Sequence, residues 1–403
     1  MGKVIQKTTP WSELNISGDG QLIQSIEKER LKYDSVLSII DRWNISDLLE
    51  RTVTAEQPAT FDEMMPLWVG DAALSPIPPS RKTEYIDFLS PYATVDAFNE
   101  VYDNLAQDRG GDLECDLGPV HDYLLIKKFL TNFDDDDKQF KFLEIGGGYG
   151  RLAEIFMTRH CENITYIISD SIPESIYYSY AYLKTRLPDV NVTLVLDGTE
   201  IPDLNQSGII ILPSWRLGGL NSNAIDLFMN VASIQETIDK TAHAYFSEAE
   251  RLLKKEGMFF FENSREFFYR REYHYPDNWQ YQLKTRSPRS RTIDYPVDIL
   301  HVKDSKQEKN NIAILAAYYQ VISNLAIDEV AELKAQIKED RQTYIERKNL
   351  LIERNQNLKE KNNSMKSQLN EQTNELKNLK ENSNSIRFIA IKSIKRLKKI
   401  IKR

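Results

Sequence analysis

The chain has 403 residues, 41% hydrophobic and 28% charged, with 16 Gly, 15 Pro and a net charge of −8, a composition that suits one large soluble domain with additions. Two cysteines, Cys115 and Cys161, speak for a reducing compartment and against a disulfide framework. No apolar core follows Met1-Gly2-Lys3, so no signal peptide is expected, and the mild apolar stretch Ile312 to Ile327 is broken by Gln320, Ser323 and Asn324, short of the roughly 18 residues of a membrane span. Residues 385–403 hold eight Arg/Lys and no acid, which leaves 44 basic against 60 acidic residues in the rest. An acidic body with a basic end argues against general nucleic-acid binding by the body, and without a visible signal peptide or span the protein is expected on the cytoplasmic side.

Residues 1–135 read as a mainly helical N-terminal region. Amphipathic fragments, notably Leu22 to Leu49, follow the turn-rich Asn15 to Gly20, and Pro76, Pro78 and Pro79 mark a loop. Residues 93–133 predict two helices, the second from Val120 to Phe133, which either shape a binding site as a lid or buttress a sheet. Asp134 to Lys138 reads as a solvated loop.

The stretch Phe142-Leu143-Glu144-Ile145-Gly146-Gly147-Gly148-Tyr149-Gly150-Arg151-Leu152 organises the rest of the chain. An apolar run ends in a carboxylate, breaks into glycines and resumes with helical periodicity, so strand, tight turn and helix N-terminus are expected. Glycines there allow positive φ and let a ligand press against bare backbone. A dinucleotide fingerprint would need glycine where Arg151 stands. The spacing is instead Glu144, Gly146, Gly148, Gly150, which resembles motif I of the class I S-adenosylmethionine (SAM) methyltransferases. The resemblance implies that Glu144 serves the methionine ammonium and that the glycine turn passes under the methionine and ribose. Asp170 closes the next apolar run, Ile164 to Ile168, where a carboxylate suits two ribose hydroxyls.

A tyrosine-rich helix from Pro173 to Leu187 is expected next, with its tyrosines packing. Val192 to Leu196 and Ile209 to Leu212 compete for the third strand. The second is favoured because it lies closer to the following strand, which makes Pro213-Ser214-Trp215 the adenine-side loop and Asp197 its rival. Ile225 to Asn230 reads as the fourth strand, and a helix ending at Lys255-Glu256-Gly257 leads into a buried fifth, Met258 to Phe261. Such alternation implies a doubly wound parallel α/β sheet over residues 136–325, with Glu144, Asp170, Asn230 and Asn263 on the carboxyl rim where ligands bind.

Ile172-Pro173-Glu174 and Asp226 to Glu236, together with the glycine stretch, resemble the sugar O-methyltransferases of bacterial surface-glycan clusters over roughly residues 90–320. One departure is Ser171, where that family carries an acid; Asp170 stands one place earlier. The resemblance implies SAM as cofactor, with Glu144, Gly146, Gly148, Gly150, Asp170, Ser214 and Asn230 around it. A sugar hydroxyl must lose its proton near the transition state, to a carboxylate or histidine within reach. Glu236 is the first candidate base, although Ser233 with Glu236 three residues later equally fits a helix capping box. His121, His243 and His274 are weaker candidates. No cluster has zinc spacing, and scattered carboxylates are compatible with Mg²⁺ without specifying a site.

Residues 264–294 read as an insertion in which Phe267, Phe268, Tyr269, Tyr273, Tyr275, Trp279 and Tyr281 alternate with Arg265, Arg270, Arg271 and Lys284. Aromatic faces suit sugars and arginines suit phosphates, but half of these rings could simply pack the loop on the sheet. Ile299 to Val302 and Ile312 to Tyr318 are expected as last, paired strands. In 326–384, Val330, Ile337, Tyr344, Leu351, Leu358, Met365, Gln372 and Leu379 recur at every seventh position, without Pro or Gly. This predicts a self-associating coiled coil, weakly registered by Asn355 and Asn362 and roughly 85 Å long. In 385–403, Ile386, Ile389, Ile394, Leu397, Ile400 and Ile401 share one helical face among the cations, the pattern of an interfacial helix on anionic lipid.

This order of segments resembles the chain-terminating methyltransferases of O-antigen synthesis. It implies a SAM-dependent O-methyltransferase acting on a surface polysaccharide or its lipid-linked precursor, held peripherally on the inner membrane face. The alternative is a coiled-coil scaffold with a degenerate methyltransferase domain that recruits a glycosyltransferase.

Overall fold

A computed structural model of the chain describes residues 8–33, 35–38, 61, 65, 76–133, 135, 137–264, 273–289 and 295–303. The chain divides into two units, Met1–Gln307 and Glu308–Arg403. The second lies outside the described residues, and with it the expected coiled coil, the basic end and the strand at Ile312 to Tyr318.

The short apolar runs form strands because each is buried on both faces, as parallel strands require. β1 (Phe140–Ile145), β2 (Ile164–Asp170), β3 (Val192–Leu194), β4 (Gly208–Pro213), β5 (Ile225–Val231) and β6 (Leu253–Glu262) are mutually parallel; β8 (Pro296–Val302) adds antiparallel to β6, and β7 (Trp279–Arg286) pairs antiparallel with β8 at the sheet edge. The sheet order is β3-β4-β2-β1-β5-β6-β8-β7. Winding runs outward from β1 in both directions, so the expected doubly wound sheet is present, and its switch point is the crevice beyond β1 and its neighbours.

Both candidates for the third strand are strands. Ile209 to Leu212 pairs directly with β2, while Val192 to Leu194 adds as an outer edge on β4. The helix before β6 ends at Leu252, earlier than the periodicity suggests, because Glu256 takes a left-handed φ of 62° and the chain bulges out of register beside β5. Trp279 to Arg286, expected within a loop insertion, is a strand whose mixed aromatic and charged residues follow a half-exposed edge.

Seven helices are described. α1 (Gly20–Arg30) starts at Asp19, whose carboxylate accepts from the amides of Gln21 and Leu22. α2 (Pro79–Leu89) opens on proline at its first turn. α3 (Val95–Arg109) is capped by Thr94 and closed by Gly110 at φ 77°. α4 (Leu117–Phe129), α5 (Arg151–His160), α6 (Pro173–Arg186) and α7 (Asp239–Leu252) complete the set. One face of the sheet buries Phe142, Tyr166 and Ile211 with α4, α5, α6 and the N-terminal residues Ile23, Tyr85 and Phe98. The other buries Leu143, Phe228 and Phe259 against α7 and the turn Ser214–Gly219. The tyrosines of α6 pack as expected, with Tyr177, Tyr178 and Tyr182 buried. Among the described residues no helix is long and apolar enough to cross a membrane.

A buried ionic cluster joins the N-terminal layer to this core. Arg151 donates to Asp116 Oδ1 at 3.0 and 2.7 Å, and Arg109 Nε lies 3.4 Å from the same oxygen. Removing one partner of a buried pair leaves charge uncompensated, which costs about 3–5 kcal/mol. Asp116→Ala, which strands two arginines, should lose stability of that order in urea unfolding; a loss below about 1 kcal/mol would show that water or other groups compensate.

Candidate functional site

The rim begins at the end of β1. Glu144 is 5% exposed, and its Oε2 accepts from the Tyr166 hydroxyl at 2.8 Å. Burial pushes the Glu144 carboxyl up to about 7, against the stabilising hydrogen bond from Tyr166. The turn after β1 has Gly146, Gly148 and Gly150 at φ 71°, 56° and 93°, which explains glycine at these three positions. Two of them are also pressed by the protein itself. A Cβ on Gly146 would fall 2.2 Å from Ser233 Oγ, and one on Gly150 would fall 2.6 Å from Leu183. The backbone at Gly147 lies over Glu144, whose Oε2 would be 2.9 Å from a Cβ there.

Asp170 ends β2, and its Oδ1 accepts from the Ile172 amide at 2.9 Å ahead of α6. It keeps part of its surface open, yet its enclosure pushes the carboxyl up to about 7, opposed by the Ile172 and Ser171 amides and reinforced by the charges of Glu236 and Glu174. Glu236 therefore stands within electrostatic reach of Asp170. It is half-buried in the turn Ile234–Glu236 beyond β5. The capping box does not form: Ser233 Oγ donates instead to Ile145 O at 3.1 Å, and the next helix starts only at Asp239.

Asn230 and Ser214 are turned inward. The Asn230 amide donates to Ile145 O and Ser233 Oγ, and its oxygen accepts from the Ile234 amide and Asn263 Nδ2. Ser214 Oγ, fully buried, accepts from Tyr245 at 3.0 Å and Ser169 at 3.3 Å. Asp197, the rival to Ser214, is bound at the surface by Lys32 at 2.9 Å and Tyr33 at 3.3 Å.

His121 belongs to a separate buried cluster. Its Nδ1 is 2.8 Å from Asp122 and 3.9 Å from Glu262, its ring is fully enclosed against Tyr85 and Phe88, and Nε2 has no partner. His121, Asp122 and Glu262 bring ligand atoms within 4.8 Å of one another, a spacing a metal ion could use. Both carboxylates, however, already hold Arg289, which donates to Glu262 at 2.8 and 3.1 Å and to Asp122 at 2.7 Å. Although burial opposes ionisation, that guanidinium holds Glu262 low, while burial drives Asp122 up. The sequence signals none of this, because Arg289 lies far from both acids in the chain and in a segment read as insertion. His243 and His274 are exposed.

Of the aromatic insertion, Phe267, Phe268, Tyr269, Arg265, Arg270 and Arg271 lie outside the described residues. Tyr273, Tyr275 and Trp279 pack against Phe259 and Phe261, with ring centroids 4.7 Å apart for Tyr273–Phe261 and 4.8 Å for Trp279–Phe259. Tyr281 stays exposed, with Lys284 over its ring at 5.0 Å.

No protein-family model and no curated protein sequence matches the chain. Similar solved structures include a SAM-dependent methyltransferase from Aquifex aeolicus, at 11% identity over 44% of this chain and 92% of that one, with a TM-score of 0.29. The YcgJ protein from Bacillus subtilis is similar at 12% identity over 46% and 99% of the two chains, with a TM-score of 0.31. An arsenic(III) SAM methyltransferase from Chlamydomonas reinhardtii is similar at 13% identity over 42% and 65%, with a TM-score of 0.28. At these values the likeness carries no argument. Strand order and the glycine turn of this chain define a doubly wound, Rossmann-like sheet.

Glu144 and Asp170 are raised above the ordinary carboxylate values of 4.5 and 3.8, so the folded chain keeps to about pH 7 protons that the unfolded chain has already lost at those lower values. Their contribution to stability is present below that window and is lost as pH rises through it. Glu144→Gln, neutral at every pH, should be more stable than wild type at pH 8 and indistinguishable near pH 4.5, as read by thermal unfolding. An equal difference at both pH values would sink the titration.

Proposed function

We propose that the chain transfers the methyl group of SAM to a sugar hydroxyl of a surface polysaccharide or its lipid-linked precursor. The observation that carries the reading is the alignment of Glu144, Asp170 and Glu236 at the carboxyl ends of three adjacent strands, β1, β2 and β5, around a left-handed glycine turn. Glu144 and Asp170, whose carboxyls burial raises to about 7, stand beside a bare turn and fit a cationic nucleoside, whose approach favours their ionised forms.

When bound, SAM supplies an electrophilic methyl on a sulfonium. The chain's residues bind and align. Glu144 would take the methionine ammonium, the bare backbone at Gly146, Gly148 and Gly150 would receive methionine and ribose, Asp170 would take ribose hydroxyls, and Ser214, itself enclosed, would back the adenine side by fixing the loop after β4. Asn230, with its amide committed internally, acts by fixing the loop beyond β5. Alignment of acceptor oxygen with the methyl can contribute about 7–11 kcal/mol. Glu236 removes the acceptor proton. It is preferred to His121, which is enclosed and tied to Asp122. Mg²⁺ has no assigned place, since Arg289 takes both carboxylates of the one cluster with suitable spacing among the described residues.

The sugar acceptor rests on the resemblance in sequence. The coiled coil would give self-association and a rod, the basic helix would bind anionic lipid on the cytoplasmic face of the membrane, and a glycosyltransferase would be a natural neighbour there.

Calorimetric titration with SAM tests the core of this reading. Affinity should rise with pH through about 7 with release of protons, and Glu144→Gln should reduce that dependence to the part Asp170 contributes and weaken binding about tenfold or more. No binding by wild type would favour the scaffold reading. Deleting residues 385–403 should free the protein from anionic vesicles, and Ile394→Ser with Leu397→Ser, which leaves charge untouched, should weaken binding strongly, since each buried side chain of that size contributes about 1.5–3 kcal/mol. Vesicle binding equal to wild type by the serine variant would mean that attraction is electrostatic alone.

A further inference from the structure

The N-terminal chain passes from one face of the sheet to the other across the carboxyl rim. Ile23 and Ile26 of α1 are fully buried on the face that carries α6, while Leu37 is buried on the face that carries α7. The link between them has to round an end of the sheet, and its contacts fix which end. Glu29 Oε2 accepts from the Asp197 amide at 2.7 Å, just beyond β3. Its Oε1 accepts from the Trp215 indole at 3.1 Å and from Arg216 at 3.3 Å, just beyond β4. Lys32 donates to Asp197 Oδ2 at 2.9 Å, and the Tyr33 hydroxyl donates to Oδ1 at 3.3 Å. In the sheet β4 stands next to β2, whose end carries Asp170, and β3 lies outside β4. The crossing therefore covers the rim immediately outward of Asp170.

Its anchors are apolar and deep, but the crossing itself is not. Leu31 is 68% exposed, and the side chains of Lys32 and Asp197 are 64% and 45% exposed. A surface pair of that kind holds weakly. The buried Glu29 carboxylate, which gathers donors from two loops, is what fastens the span. A segment with firm ends, few apolar contacts of its own and one polar fastening can open locally while its anchors stay folded.

We infer that this crossing is a strap that gates exchange of the cofactor, with Glu29 as its fastening. The inference rests on SAM lying along the rim as proposed above: with the ribose at Asp170, the adenine falls outward, at the ends of β4 and β3 that the strap covers. Adenine there can neither enter nor leave while Glu29 joins Asp197 to Trp215. Closed before and after binding, the strap sets both rates through the fraction of time it is open, and leaves the equilibrium constant nearly untouched. A wall of the site behaves differently, since its loss speeds departure alone. A competing plug differs again, since its loss speeds arrival alone.

The test uses the full chain with SAM and its demethylated product, S-adenosylhomocysteine, in stopped-flow mixing. Hydrogen exchange of the ligand-free chain is an independent readout. Glu29→Gln keeps an oxygen for one loop but turns an N–H toward the other, so the strap should open about tenfold more often, the worth of one hydrogen bond. Exchange of the Asp197 amide should rise by that factor. Association and dissociation rates of both ligands should rise with it, their ratio staying within about threefold of wild type. Lys32→Ala with Tyr33→Phe removes only exposed contacts, which spares the fold if Glu29→Gln does not, and should raise both rates about threefold. Unchanged rates in these variants would overturn the gate while leaving SAM binding in place. A rise in dissociation alone makes Glu29 part of a wall, a rise in association alone makes the strap a plug, and either result overturns the inference. If the wild-type chain binds neither ligand, the reading of the rim and this inference fall together.

Discussion

One carboxylate, Asp116, fixes where the glycine turn can lie. It stands just before α4 and holds Arg151, the residue that opens α5 directly after Gly150, so the start of that helix is pinned from outside the sheet. Arg109, at the end of α3, shares the same oxygen, stacks on Trp11 at 4.0 Å and donates to the hydroxyl of Tyr149 at 2.8 Å, within the turn itself. Below them Glu154 receives Arg151, Arg186 and Tyr182, and Arg186 reaches on to Asp108. Although burial opposes it, the two guanidiniums hold Glu154 down to about 2. Three arginines meet three carboxylates, so the cluster is near neutral. Burying such a cluster gains little stability over apolar packing, whereas each missing member is expensive. What it contributes is a single register between the N-terminal helices and the turn, which an apolar layer could satisfy in several ways.

A second constraint roofs the other side of the rim. α1 packs on α6, while the turn Val36–Ser38 packs on α7 and on the turn Ser214–Gly219, against the opposite face. The chain therefore crosses the carboxyl rim between α1 and Val36. Glu29, 3% exposed, fastens the crossing by accepting from the Trp215 indole at 3.1 Å, from Arg216 at 3.3 Å and from the Asp197 amide at 2.7 Å. Glu29 thereby ties the N-terminal segment to the turn that follows the buried Ser214. The described part of the N-terminal region is built into the rim and forms one compact unit with the sheet.

The sheet was legible because parallel strands buried on both faces leave unbroken apolar runs, and because three left-handed positions in five residues demand glycine. Carboxylates closing those runs could be read as rim residues for the same reason. What stayed hidden depends on partners distant in sequence. Ser233 and Glu236 spell a capping box, yet the nearby Ile145 carbonyl captures the serine. Arg289 lies 167 residues from Asp122, and no local periodicity announces their meeting. Trp279 to Arg286 mixes aromatics and charges because it is a half-exposed outer strand, which blurs the alternation that would otherwise mark it.

The same electrostatics bears on what the rim selects. A dinucleotide would bring a pyrophosphate to the turn, where it would meet Glu144, Asp170 and Glu236, and where Arg151 and Arg109 are already spent on Asp116, Glu154 and Tyr149. Helix N-termini attract anions, but here the carboxyls beside the turn oppose that attraction. A cation reverses the balance. It favours ionisation of groups that burial keeps near pH 7, so binding converts their suppressed charge into attraction. In the proposed reaction the sulfonium charge vanishes on transfer while the ammonium remains. Glu144 would keep its ammonium partner after transfer, whereas the attraction of the rim's acids for the sulfonium would be gone, so product would be held less tightly than the methyl donor.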